Sequence, residues 1–160
     1  MSDIKTKYGT SNQAITVTLA SLANNGARAS TVVDNTSNLF LDALVAINIK
    51  TGAASTSATG YVNVYAYGTA DGGTNYTEAA TGSDAAITLV VPTNLRLIGS
   101  LNCVANATTY KSGPFSVAAV FGGAMPDKWG IVIENKTGGT LDGTEGSHLK
   151  VYQGVYGQTV

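Results

Sequence analysis

Apolar residues recur at every second position along almost the whole chain, and that period belongs to strands rather than to helices. Ile15, Val17 and Leu19 alternate with Thr16 and Thr18. A longer run joins Leu39, Leu41, Ala43, Val45, Ile47 and Ile49, with Phe40 and Leu44 adding apolar weight to its other face. Val62, Val64 and Ala66 alternate with Tyr61, Asn63, Tyr65 and Tyr67. Ala85, Ile87, Leu89 and Val91 stop at Pro92, which has no N–H for a ladder. Leu95, Leu97 and Leu101 follow, then Phe115, Val117, Ala119 and Phe121 after the break at Gly113-Pro114. Trp129, Ile131 and Ile133 come next, and Leu149, Val151, Gln153 and Val155 close the series. The intervals, such as Thr51–Gly60, Gly68–Thr74 and Gly138-Gly139, have turn composition. Helical leanings are confined to Ala20–Ala29, where Asn24-Asn25-Gly26 spoils them.

Short strands at this spacing predict an all-β chain of about eight strands. A single β-sandwich of the jelly-roll type is the first choice, and an immunoglobulin-like sandwich the second. Periodicity does not reveal strand order. With 160 residues there is room for one domain. Residues 14–160 read as the sandwich and residues 1–13 as a polar N-terminal arm. The arm holds Ile4, Lys5, Lys7 and Tyr8, and reads either as a frayed terminus or as a segment that orders on a neighbouring subunit.

Charge narrows the function. Only 12% of residues are charged and the net charge is −1, with no basic cluster, so neither nucleic acid nor an anionic membrane is an expected partner. A chain with so few charges is poorly protected against self-association. That is tolerable in a homo-oligomer or a larger assembly. The N-terminus lacks the apolar run of a signal peptide, and the stretch Leu39–Ile49 is too short to span a bilayer. A soluble chain made in a cytosol is therefore expected. The sequons at Asn35, Asn75, Asn106 and Asn135 read as by-products of Asn/Thr-rich loops.

Catalysis needs a constellation, and little material for one is present. The single histidine, His148, reads as an exposed loop residue, and no Gly-x-Ser-x-Gly elbow accompanies it. Cys103 reads as a small buried hydrophobe. Asp71, Asp84, Asp127, Asp142 and Glu145 fall in turns, and Asp142–Gly146 lacks the acidic spacing of a calcium loop. No catalytic residue, metal or cofactor is expected. Trp129 reads as a core anchor. Tyr61, Tyr65 and Tyr67 share one strand face, and Tyr152 and Tyr156 repeat the spacing. Sheet packing is the first reading of these tyrosines, a subunit interface the second, and a glycan platform the third.

Several segments taken together carry a family likeness: Ser30–Asn35, Val64–Gly73, Leu95–Gly99, Gly113–Val117 and the closing Tyr152–Gly157. From about Ser30 to its end the chain resembles small structural proteins of tailed bacteriophages. The resemblance implies a virion location and a capsid decoration (cement) role, with the major capsid protein or other virion proteins as partners. It carries no functional residues with it. A tail or neck structural role is the alternative within the same class, and a carbohydrate-binding β-sandwich module the alternative outside it. The candidate interface residues are Ile4, Lys5, Lys7, Tyr8, Tyr61, Tyr65, Tyr67, Tyr152 and Tyr156.

Overall fold

Period-two runs become strands because β-branched and aromatic side chains pack well on a pleated surface, while Gly, Asn and Asp turn the chain between them. A computed structural model describes residues 3–160. Its strands are β1 (Ile4–Tyr8), β2 (Gln13–Ala14), β3 (Ala27–Ala29), β4 (Val33–Asp34), β5 (Asp42–Lys50) and β6 (Tyr61–Thr69). They continue with β7 (Ala85–Ile87), β8 (Arg96–Asn102), β9 (Thr109–Ser116), β10 (Lys128–Lys136) and β11 (Leu149–Thr159). All pair antiparallel.

In one sheet β1 and β2 lie one after the other along β11, which pairs on its far side with β5, and β5 pairs with β9. The other sheet runs β7-β3-β10-β6-β8, with β4 also on β10. If β1 and β2 are taken as one strand and the short β4 and β7 are set aside, eight principal strands remain. The first sheet uses the first, eighth, third and sixth of them, and the second sheet uses the second, seventh, fourth and fifth. That interleaving is the jelly roll, not the immunoglobulin-like order.

The core between the sheets holds Leu19, Val45, Ile47, Ile49, Val62, Val64, Trp129, Ile131 and Ile133, with Cys103 among them. Alternation is clean along β5. It fails along β10, where Trp129–Ile133 is buried without interruption. The reason is a second cluster on the outer face of that sheet. There the connection between β6 and β8 folds back, and Ala80 and Leu95 cover Tyr65, Tyr67, Ala27, Ala29 and Val132.

Three local expectations are corrected. Ile15, Val17 and Leu19 are buried as their period implies, but they form no ladder strand. The Ile15 N–H still donates to the Lys150 carbonyl of β11, but further on side chains take over: Thr18 N–H donates to Asp84, and the Leu19 and Ala20 N–H groups donate to Glu145. The run after Phe115 leaves the sheet at Ser116, and Ala118–Phe121 forms a short 3-10 turn. Leu39 and Leu41 lie before β5 and are exposed, at 71% and 62%.

The two ends of the sandwich are built differently. At the end carrying the β5–β6, β8–β9 and β10–β11 connections, buried polar groups tie the loops. Asn135 donates to the Leu22 and Gly139 carbonyls and accepts from Thr137. The Thr51 hydroxyl donates to the Ala105 carbonyl. Complete burial of Asn135 also closes that sequon to modification in the folded chain. The opposite end, where Asp42, Thr69 and Lys128 lie, carries the exposed Leu39 and Leu41.

Candidate interaction surface

At this second end β11 outruns its partner. Its register with β5 ends at Val155↔Asp42, whereas its register with β1 continues to Thr159↔Ile4. Residues 4–7 and 156–159 therefore form a two-stranded ribbon with no third strand beside it. All five side chains of β1 are exposed. The residues expected to form a polar arm are thus zipped onto the chain's own C-terminal strand; Met1 and Ser2 of that segment lie outside the described residues.

An apolar groove of about 490 Å³ crosses the ribbon, lined by Ile4, Asn38, Leu39, Leu41, Tyr156, Gly157 and Thr159. Gly157 makes its floor. A Cβ there would stand 3.2 Å from Ile4 Cγ2 and 3.9 Å from Leu41 Cδ1. A second groove of about 550 Å³ shares Leu39 and Leu41 and runs on to Phe40 and Met125. The loop that carries both leucines is held by Asn35, whose side chain accepts from the Phe40 N–H and donates to the Phe40 carbonyl. Leu39 itself sits at φ +54°, a left-handed conformation that costs a branched residue about 1–2 kcal/mol. That backbone holds the leucine side chain out in water.

The candidate residues divide. Ile4, Lys5, Lys7, Tyr8 and Tyr156 converge on the ribbon, where Lys7 Nζ lies 5.5 Å from the centre of the Tyr156 ring. Tyr152 points inward, edge-on to Trp129 with ring centres 5.2 Å apart. Tyr67 is fully buried and its hydroxyl donates to the Ser30 carbonyl at 2.5 Å. Burial pushes the Tyr67 phenol up to about 12. Tyr65 is covered too; its hydroxyl donates to Glu134 at 2.9 Å, and burial followed by that carboxylate pushes it up to about 12. Only Tyr61 of this strip stays partly open, at the far end of the sandwich. The three tyrosines therefore present no joint aromatic platform. Leu39 and Leu41, which anchor the surface, were absent from the sequence-based candidates because their spacing continues the buried run of β5. The polar pair Ser37-Asn38 just ahead of them is the signal that the run starts in a loop.

His148 is buried rather than exposed. Its Nδ1 accepts from the Lys50 N–H at 3.3 Å and its Nε2 donates to the Asp142 carbonyl at 3.1 Å. Both ring nitrogens are engaged, which leaves no lone pair for proton transfer to a substrate. Burial holds its pKa below the usual imidazole value. The backbone N–H of Thr144 and then the Lys50 ammonium hold Asp142 at about 2. Burial raises the Glu145 carboxyl, but Lys150 and the Ala20 and Leu19 N–H groups outweigh it and keep it below its ordinary range. These are loop clamps. Cys103 is fully buried, and burial pushes its thiol up to about 12, outside the range of a reactive cysteine.

Among the described residues no group of three metal-ligating side chains comes together, and no helix is long and apolar enough to cross a membrane. No protein-family model, curated protein or solved structure matches the chain.

Proposed function

We propose that this chain is a structural protein of a tailed-bacteriophage particle, of the capsid decoration type, that works by binding rather than by catalysis. The observation that carries the reading is the open end of the jelly roll. There an uncovered ribbon, an apolar groove and a strained, exposed Leu39 stand side by side. Exposed apolar surface that is rimmed by polar groups is what a protein with a standing partner leaves uncovered. Low total charge supports the same view, since an assembled subunit needs little repulsion to stay dispersed. The likeness over Ser30 to the C-terminus supplies the virion context, with the major capsid protein as the partner and the particle as the location.

Quantitative mass spectrometry of purified particles tests this reading. The chain is expected at a simple ratio to the major capsid protein. A handful of copies would move the same domain to the tail or neck, and absence from the particle would overturn the virion reading. Within that test, the double variant Leu39→Ser with Leu41→Ser should leave the fold intact and empty the particle of the chain. Wild-type occupancy would remove the groove from the contact.

A further inference from the structure

We infer that the free edge of β1 is a strand-addition site, and that its occupant is an extended segment of another protein in which acidic and apolar side chains alternate. The backbone comes first. The Asp3 carbonyl accepts from Val160 N–H and the Gly9 N–H donates to the Gly154 carbonyl, both in the register that unites β1 and β11. In an antiparallel ladder the hydrogen-bonded positions alternate. Residues 3, 5, 7 and 9 therefore bond to β11, while Ile4, Thr6 and Tyr8 turn their N–H and C=O groups away from it. No described strand meets them. A row of unpaired peptide groups on an exposed strand is a template for one more strand. The ribbon also gains by it, because two strands alone are marginal in water and three with an apolar face are not.

Side chains select the occupant. Ile4, Thr6 and Tyr8 stand on one face of β1, and that face continues through Gly157 into the groove of Leu39 and Leu41. Lys5 and Lys7 stand on the other face. A second copy of β1 laid antiparallel over all five residues would set Lys5 against Lys7, and like charges directly opposite are unfavourable. An incoming strand with carboxylates on the lysine side and aliphatic groups on the Ile4 side meets both faces. This inference names the chemistry of the partner for the surface proposed above; it rests on that reading only for the origin of the strand.

The isolated chain suffices to test it, so failure here is separable from failure of the virion assignment. The nitrogen-15-labelled protein is titrated at low salt with acetylated Val-Glu-Val-Glu-Val amide, whose carboxylates fall opposite Lys5 and Lys7, and with the Val-Lys-Val-Lys-Val counterpart. The acidic peptide should bind saturably, shift signals along β1 and the facing part of β11, and protect the Ile4, Thr6 and Tyr8 amides from exchange. Two opposite-charge pairs in place of two like-charge ones make it about tenfold tighter than the basic peptide. Thr6→Pro removes an outward N–H without touching the bonds to β11, and should abolish binding while the melting temperature holds. Lys5→Glu with Lys7→Glu should reverse the peptide preference. Equal binding of both peptides, absence of binding, or self-association through β1 that Thr6→Pro abolishes would each overturn the assignment.

Discussion

The two ends of the jelly roll solve the same problem, loose backbone beyond the last ladder bond, by opposite means. At the closed end side chains satisfy the loops from within. Asn135, Thr51 and His148 are buried and hydrogen-bonded, and Glu145 holds the Leu19 and Ala20 N–H groups at 2.7 Å. At the open end β11 runs past β5, the edge of β1 is left bare, and leucines face water. Buried hydrogen bonds whose loss strands a partner are stabilising; exposed leucines and a bare strand edge contribute little to folding. The contrast places the clamps that stabilise the fold at one end and leaves the other free for the association proposed above.

Substitutions at the closed end should break that division most strongly. Asn135→Ala strands the Thr137 N–H and takes one of two donors from each of the Leu22 and Gly139 carbonyls, which keep the Leu141 N–H and the Thr137 hydroxyl, so a loss of about 2–3 kcal/mol in urea denaturation is expected. A loss near zero would show that water replaces the amide. Glu145→Ala removes the acceptor for two backbone N–H groups and should cost about 1–2 kcal/mol. Little of that change should come from the Lys150 pair, because Glu145 is substantially exposed there.

Acid sharpens the comparison, since the only histidine lies at the closed end. Burial depresses the folded-state pKa of His148 below its ordinary 6.5. The unfolded chain therefore takes up a proton first as pH falls. Stability from this group is complete above the ordinary value, and declines through it until the folded-state pKa is reached. Denaturation midpoints should fall between about pH 7 and 5.5, before carboxylates titrate, and His148→Gln should flatten that slope. An unchanged slope would remove His148 from the clamp.

The smallest expected effect belongs to the open end. Leu39→Gly relieves the left-handed backbone but adds chain entropy to the unfolded state, so stability should change by no more than about 0.5 kcal/mol. Self-association or particle binding, measured by sedimentation, should drop in the same variant. A large destabilisation would show that Leu39 serves the core after all.

Much of the fold was legible in the chain, and the reason is burial. Alternation along Ala43–Ile49 and Tyr61–Ala66 reports which face meets the other sheet, and those residues lie where the period puts them. Legibility fails where burial has a second cause. Tyr65 and Tyr67 sit on the face opposite the main core; packing is the first reading of their spacing and they are buried, but the cover is the returning β6–β8 connection, which the spacing does not name. It fails again at Ile15–Leu19, where the period is right but ladder bonding stops after the Ile15 N–H meets the Lys150 carbonyl, and the Thr18 and Leu19 N–H groups go to distant carboxylates. The site was half legible. Ile4, Lys5, Lys7 and Tyr8 stood out as a polar terminal segment, whereas Leu39 and Leu41 were hidden inside a hydrophobic run.

By itself the sequence determined the class of structure: an all-β sandwich, glycine-rich turns and a small charge. Those properties follow from local period and composition, which each segment carries alone. Tertiary structure decided the jelly-roll order, the pairing of β1 with the C-terminal strand, the burial of His148 and the exposure of Leu39. Each of these depends on which distant segment arrives alongside, through contacts between residues far apart in the chain. No local pattern encodes that choice.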